Sequence, residues 1–419
     1  MNQCDHVYLE ECDISGAVDN AIDYVAVQYG HALRNRIHNS RDWAMYVKGG
    51  SAYLLVEGNE FFDAGTGGFT AGQGSGFQFL TSPWIHYEAM DVKVVNNAIH
   101  DTEGAGLGVN GGYNILLAYN TLFRVGRRSH MLEVVYGLRS CDGQPGDPGR
   151  ERCADYLAKG GWGTTVVDDG SNAVRIPNRN VFILNNILYN PATYPALDQV
   201  FNVPGPFPGP TQAGSNAPDP ARADDNLSIA GNVIWTGRAT PLGIEDSGNG
   251  CRSDNPICNE TRIRADNAIE TFEPIVRDPV APDLHLADPT GPWKPVAPLP
   301  FPGGDRPSRP VSPAGKLINR VTRDANGATR YFQAPAGAYV LQVLPDPGDL
   351  DADGGVTVAD VMIELKFFLG LRTPTAHDLI VGDPRPSTGQ GGRTFGDGAI
   401  RADDLNWIVR RYLGVEGEP

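Results

Sequence analysis

Nowhere does this chain run for about twenty consecutive apolar residues, so no membrane-spanning helix is expected. Its opening stretch, MNQCDHVYLEECDISG, lacks a basic segment followed by an apolar one, so no signal peptide is visible. That stretch begins inside a repeating pattern, and the natural N-terminus is expected to lie upstream. Cationic charge is in short supply. Against 50 Asp and Glu there are 34 Lys and Arg, a net charge of −16, which argues against nucleic acid or an anionic membrane as the main partner. An acidic polysaccharide would need a local basic patch. Cysteine is scarce, with six in the chain, and none has the double-pair spacing of a zinc site. The six fall into close pairs, Cys4 and Cys12, Cys141 and Cys153, Cys251 and Cys258, so three local disulfides in an exported protein are expected.

What the chain has in quantity is glycine, 51 residues, and proline, 33 residues, which points to turns and short strands rather than long helices. The 419 residues allow two or three domains, and 41% hydrophobic with 20% charged residues is the balance of a folded protein.

Self-similarity supplies the architecture. Apolar residues, then one asparagine, then an apolar residue two places on, recur in YLEECDISG, HALRNRIHNS, LLVEGNEFFDAG, VVNNAIHDTEG, LLAYNTLFRVG, ILNNILYNP and IAGNVIWTG. The shared position is Cys12, Asn35, Asn59, Asn97, Asn120, Asn186 and Asn232, with spacings of 23, 24, 38, 23, 66 and 46. A period near 23 with short apolar runs suits a parallel β-helix of three short strands per coil, with insertions such as the cysteine-bearing loop near 138–170. Asparagine recurs because its amide bonds to the asparagines above and below inside a bend. Ile37, Phe61, Ile99, Leu122, Leu188 and Ile234 then point inward. An all-β sandwich would not keep one residue type at a fixed period.

This pattern resembles the right-handed parallel β-helix repeat proteins, the architecture of pectate lyases and related polysaccharide-active enzymes, over about residues 5–290. The expected fold class is mainly β: a right-handed parallel β-helix over 1–290, a Pro-rich linker over 291–315, a short β segment over 316–345, and a small α-helical calcium-loop domain over 346–419. The linker is expected to be extended and not to pack.

The resemblance implies chemistry in a groove along one sheet. The strands read for that sheet are WAMYVKGG, GFQFLTS, GAGLGVNGG and HMLEVVYG, with Tyr46, Lys48, Gln78, Asn110 and Glu133 pointing out. The loops entering them carry Arg41, Asp42, Asp101, Glu103, Arg127, Arg128 and His130. Two mechanisms fit. In β-elimination from a uronate, Lys48 is the base and Arg41, Arg127 or Arg128 offsets the enolate charge. In glycoside hydrolysis, Asp101, Glu103 and Glu133 are the candidate carboxylates. A plain solvated face is the competing reading, and a non-catalytic carbohydrate-binding or surface β-helix is the competing function. The three-aspartate set of polygalacturonases is not apparent.

Near the C-terminus, GDLDADGGVTVADVMIELKFFLG sets aspartates at alternate positions before a helical pattern. With Asp349 as loop position 1, Asp351 is 3, Asp353 is 5, Gly355 is 7, Thr357 is 9 and Asp360 is 12, the layout of a calcium (Ca2+) loop. The following helix is read with Val361, Leu365, Phe368 and Leu369 on one face. A partial copy lies 44 residues on, aligning Asp397 with Asp353, Ile400 with Val356 and Asp404 with Asp360. Its ligand set is Asp383, Asp397, Ala399 and Asp404, interrupted by the insertion PRPSTGQGGRTF. A duplicated calcium loop with one helix each resembles a dockerin module. The resemblance implies a cohesin-like scaffold or cell-surface partner, recognised through Val358-Ala359 and Ala402-Asp403. A calcium-stapled domain without a partner is the alternative. The combined expectation is an extracellular or cell-surface polysaccharide-degrading protein.

Overall fold

The computed structural model describes residues 1–142, 146, 148–167, 173–195, 199–207, 215–244, 248–281, 283–288, 291–298, 301, 321, 323–326, 330, 336–339, 347–351, 355–375, 378–386 and 396–415. The chain divides into two compact units, Met1–Val340 and Leu341–Pro419.

Three sheets, each parallel throughout, build the solenoid of the first unit, beside two small sheets that contain antiparallel pairs. The first sheet holds seven strands: Asp5–Glu10, Gln28–Leu33, Ser51–Glu57, Ala89–Val95, Gly112–Ala118, Arg179–Leu184 and Asp225–Ala230. The second holds eight: Asp13–Ser15, Arg36–Ser40, Glu60–Ala64, Ala98–His100, Thr121–Phe123, Ile187–Tyr189, Val233–Trp235 and Ala268–Ile269. The third holds six: Ile22–Val25, Trp43–Lys48, Gly67–Gly72, Ala105–Asn110, His130–Val135 and Gln199–Asn202. The chain visits the three in turn, so residues one coil apart become register neighbours. Ile37, Phe61, Ile99, Leu122, Leu188 and Ile234 are successive register partners in the second sheet, and each is 1% exposed or less. Stacked like this, they form one continuous core, as their spacing predicts.

The asparagine ladder stands at the corner between the first and second sheets. Asn35 donates its backbone N–H and its side-chain amide to Asn59 Oδ1, both at 2.9 Å, and the same double bond repeats from Asn59 to Asn97, Asn120, Asn186 and Asn232. An eighth position, Asn267, ends the ladder by accepting from Asn232 at 2.9 and 2.8 Å. The residue before each of the first seven positions has a left-handed backbone, from φ 52° at Arg34 to 73° at Gly231, which makes the corner sharp.

A second ladder, absent from the sequence reading, runs along the outside of the first sheet, six residues ahead of the first. His6, Tyr29, Tyr53, Asp91, Asn114, Asn180 and Asn226 all have positive φ. The aromatic rings stack, His6 on Tyr29 at 5.3 Å and Tyr29 on Tyr53 at 5.0 Å. The polar ones bond in series: Asn114 to Asp91 at 2.6 Å, Asn180 to Asn114 at 2.9 Å and Asn226 to Asn180 at 2.7 Å.

Three expectations need correction. Disulfides join Cys141 to Cys153 and Cys251 to Cys258, but Cys4 and Cys12 are free thiols. The extended strand Asp5–Glu10 separates that pair by about 20 Å, far beyond disulfide reach. Gln78 does not lie on a third-sheet strand. Phe77–Phe79 is a 3-10 turn, and the third-sheet strand of that coil is Gly67–Gly72. Gln78 is buried and accepts from the Asp142 N–H at 3.1 Å. The proline-rich segment does pack where it is described. Val296 and Phe301 lie against Leu116, Phe182 and Leu184 on the outside of the first sheet, and Val296 exchanges two hydrogen bonds with the Asn185 side chain, at 2.7 and 2.9 Å. Outward apolar residues on that sheet supply the partner that a solvated linker would lack. Residues 302–320 and most of the expected β segment at 316–345 lie outside the described residues.

The second unit contains the helices Val358–Phe368, Asp378–Val381 and Ala402–Tyr412 around a core of Leu350, Phe367, Val381, Trp407 and Ile408. The buried face of the first helix is Asp360, Glu364 and Phe367. Phe368 and Leu369, expected on it, are exposed at 44% and 56%, because the buried stripe runs through Asp360, Glu364 and Phe367, at i, i+4 and i+7, and turns them outward. Among the described residues no helix is long and apolar enough to cross a membrane.

Candidate functional site

On the outside of the third sheet one register row reads Asp23, Tyr46, Thr70, Gly108, Glu133 and Asn202. Trp43 lies beside it, and the glycines of later coils make room for its ring. A Cβ at Gly67 would fall 2.3 Å from the indole, and one at Gly108 would fall 3.1 Å away. Met45 and Val47 point inward and are fully buried, which leaves Tyr46 and Lys48 facing out as their alternation predicts.

Lys48 ends its strand with its Nζ donating to Gln73 Oε1 at 2.9 Å and standing 4.3 Å over the Tyr46 ring. Burial lowers its pKa, against the opposing charges of Glu88 and Asp23. Burial raises Asp23, with Tyr46 and Lys48 pulling it back. Burial also raises the Tyr46 hydroxyl, which stays protonated. Behind Lys48, Glu88 and Arg139 form an ion pair with both side chains fully buried. Glu88 Oε2 also accepts from the Gly49 N–H at 3.0 Å and from Ser75 Oγ at 2.5 Å, and Arg139 donates to the carbonyls of His86 and Trp162 at 2.7 Å each. This staple ties the disulfide-bearing insertion to the coil carrying Lys48.

The other expected site residues are scattered. Arg41 is exposed at the opposite end of the Lys48 strand, roughly 20 Å away along the backbone. Asp101 sits at the corner leaving the second sheet, where Arg124 grips both oxygens at 2.6 Å and His100 bonds at 2.8 Å. Glu103 and Arg127 meet at 3.3 Å, both exposed, and Arg128 donates to the Gly65 carbonyl. His130 joins Glu133 at 2.8 Å and Ser129 Oγ at 2.7 Å. The structure thus brings together Lys48 with Tyr46 and Gln73, Glu103 with Arg127, and His130 with Glu133, but it does not gather them into one cluster. Asp23 and Gln73 were missed. Asp23 precedes Tyr46 by one period of 23 residues, a signal the repeat contained.

In the second unit, carboxylate oxygens of Asp349, Asp351 and Asp360 lie within 4.8 Å of one another, the only such group of three among the described residues. Three hard anionic oxygens at that spacing fit a calcium ion. Asp360 is buried; its Oδ1 accepts from the N–H groups of Leu350 and Asp351 at 2.6 and 3.0 Å, and its Oδ2 from Thr357 at 2.7 Å. Thr357 itself caps the helix, its hydroxyl accepting from the Ala359 N–H and donating to Asp360. Gly355 is half-buried on the rim, and Asp353 lies outside the described residues.

The second loop mirrors the first. Asp404 accepts from the N–H groups of Arg401 and Arg385 at 2.8 and 2.9 Å, as Asp360 does from Thr357 and Asp351. Asp383 therefore stands where Asp349 does, and Arg385 where Asp351 does. Asp383 accepts from the N–H groups of Asp397 and Gly398, Asp397 accepts from the Ala399 N–H at 3.2 Å and pairs with Arg401 at 2.9 Å.

No curated protein and no solved structure matches the chain. Residues 1–129 match the family model described as the right handed beta helix region. With three wholly parallel sheets continuing beyond that stretch, the first unit is a right-handed parallel β-helix.

Proposed function

We propose that the protein is an exported polysaccharide lyase built on a β-helix and attached to a partner through a dockerin-like calcium module. The observation that carries the lyase reading is Lys48, an outward amine whose pKa is lowered by burial and which Gln73 and Tyr46 hold in place. A lowered pKa leaves more of the amine unprotonated near neutral pH, the form that can accept the hydrogen beside a uronate carboxylate. Glycosidase chemistry fits less well. In the register row, Asp23 and Glu133 are four strands apart, about 19 Å at 4.8 Å per strand, whereas paired glycosidase carboxylates stand roughly 5–9.5 Å apart. Arg41, Arg127 and Arg128, at the far edge of the sheet, meet carboxylates on other sugars of a polyuronate rather than the reacting one.

Bound calcium would fold the first loop. Val358 and the exposed residues Ala359, Ala402 and Asp403 stand where the dockerin resemblance puts partner recognition, which supports a cohesin-like partner. Incubation with a panel of polyuronates and neutral glycans tests the activity. Unsaturated, ultraviolet-absorbing product that disappears in Lys48→Ala is expected. New reducing ends without unsaturation would replace the reading with hydrolysis, and binding without any product would replace it with a carbohydrate-binding β-helix. Capture by a cohesin-type domain in calcium, lost in chelator, tests the attachment.

A further inference from the structure

A small three-stranded sheet stands beside the residue that holds Lys48. Its strands are Gly74–Gly76, Gly137–Ser140 and Val174–Ile176. The first begins immediately after Gln73, whose Oε1 accepts from Lys48 Nζ at 2.9 Å. The Leu138 N–H donates to the Gln73 carbonyl at 3.3 Å. Gly74, Leu138 and Arg175 are register partners across the three strands. Directly paired residues share a face, so Leu138 and Arg175 lie side by side. From Gly74 to Arg175 the row spans two strand spacings, about 10 Å. Leu138 is exposed at 42%.

Beyond Leu138 the row meets aromatic rings. Arg175 Cζ stands 3.9 Å from the centroid of the Phe207 ring and 5.8 Å from that of Tyr136. Tyr136 is buried and its hydroxyl donates to the Gly205 and Ala221 carbonyls. The Phe207 N–H donates to the Ala221 carbonyl at 3.0 Å, which fixes the backbone that carries the ring, yet Phe207 stays 39% exposed. A guanidinium held face-on over a ring keeps its in-plane N–H groups for a carboxylate. Arg175 spends none of them: among the described residues it has neither a hydrogen bond nor an ion pair. Asp224, whose charge reaches Tyr136, is engaged by Arg222 at 3.0 Å and by the Cys251 N–H and the Asn255 amide at 2.9 Å each. In a chain of net charge −16, Arg175 is thus a local cation with donors to spare beside an exposed aromatic.

We propose that Arg175 and Phe207 form a subsite for one uronate residue of a polysaccharide, Arg175 pairing with its carboxylate and Phe207 packing against the apolar face of its ring. Neither residue belongs to a strand of the solenoid. The disulfide-bearing insertion brings Arg175, and the loop after Gln199–Asn202 brings Phe207. For the sugar class the subsite rests on the polyuronate reading: Lys48 takes the reacting residue, and Arg175 takes one further along the same polymer. Arg175 does no chemistry there. It decides which polymers are held, because a neutral sugar leaves its donors unmet.

Calorimetric titration of the full chain carrying Lys48→Ala, which keeps the polymer from being consumed, tests the subsite with oligogalacturonate, oligoalginate and a neutral cello-oligosaccharide. Binding of a uronate oligosaccharide is expected. Adding Arg175→Gln should weaken it at least about tenfold, the worth of one charge-assisted contact, and leave Tm unchanged, since no partner within the protein is lost. Phe207→Ala should weaken it as well, and Arg175→Lys, which keeps the charge, should recover part of the loss. With Lys48 intact, Arg175→Gln should raise KM and spare kcat. The inference is overturned if neither uronate oligosaccharide binds, if Arg175→Gln binds as tightly as its parent, or if the neutral oligosaccharide loses as much. Unsaturated product together with an unchanged affinity in Arg175→Gln would remove the subsite and leave the lyase standing. Binding that depends on Arg175 without any product would uphold the subsite and refute the lyase.

Discussion

Asn120 and Asn186 are 66 residues apart in the chain, yet Asn120 donates both its backbone N–H and its side-chain amide to Asn186 Oδ1 at 2.9 Å each. The long insertion between them leaves the ladder step unchanged. Asn120→Ala would strip the acceptor from both Asn97 donors and the donor from the Val94 carbonyl. The Asn97 side-chain amide keeps the Val56 and Val95 carbonyls, so two buried groups are left unmet, and at about 1–3 kcal/mol each roughly 2–6 kcal/mol of stability should be lost. Asn35→Ala, near the exposed first coil, leaves the half-buried Cys12 N–H and the Leu9 carbonyl unmet and should cost about 1 kcal/mol. Urea unfolding of the two variants checks the ratio.

A pH optimum follows from His100, which is buried and bonded to Asp101 at 2.8 Å and Glu60 at 3.2 Å. Burial lowers its pKa, but the two carboxylates outweigh it and raise His100 above 6.5. The bond from His100 holds Glu60 below 4.5. Burial opposes the lowering of Asp101, but His100 and Arg124 together keep it below 3.8. The histidine contribution is full below pH 6.5 and fades as pH rises through its raised value. The carboxylate contributions are full above 4.5 and 3.8 and fade below them. Stability of the β-helix should therefore peak between about pH 4.5 and 6.5. His100→Phe should flatten the alkaline fall while keeping the stack on Phe62; an unchanged slope would refute the assignment.

The Glu88–Arg139 pair is fully buried. Removing one partner leaves a lone buried charge, so Glu88→Gln should cost about 3–5 kcal/mol. Glu88→Leu combined with Arg139→Leu should recover much of that loss, which a double-mutant cycle would measure.

Thiol labelling offers a simpler check. In native, unreduced protein two cysteines per chain should react, Cys4 faster than the half-buried Cys12, and four should resist. Complete resistance would restore the third disulfide.

Chelation should act on the second unit. At calcium a hundredfold above Kd, one bound ion adds about 2.7 kcal/mol. Helical signal from that unit should melt earlier in chelator, and Asp360→Asn should remove the part of the difference that the first loop supplies.

The core and the inner ladder were readable because both demand one residue type at one place in every coil. Asn267 escaped because the helix Glu260–Asp266 stands immediately before it and breaks the apolar approach seen elsewhere. The outer ladder was invisible for a deeper reason. Its common element is a left-handed backbone, which His6, Tyr53, Asp91 and Asn114 each satisfy with different chemistry. Third-sheet strands such as Gly67–Gly72 lack alternation, so Gln78 was assigned to the wrong strand. Lys48 was legible from alternation, whereas its partner Gln73 lies in the next coil at a spacing set by a turn. Glu364 was hidden because a charge within a helix is ordinarily read as exposed.

The outer ladder changes material along its length, from stacked rings at Tyr29 and Tyr53, with Trp84 edge-on at 6.3 Å, to amides at Asn114, Asn180 and Asn226. A solenoid held by nearest-neighbour contacts can fray from either end. Here only the early coils carry closely coupled chromophores in that row, so their fluorescence reports one end while the backbone signal reports both. Comparing the two during unfolding would show from which end the helix unzips.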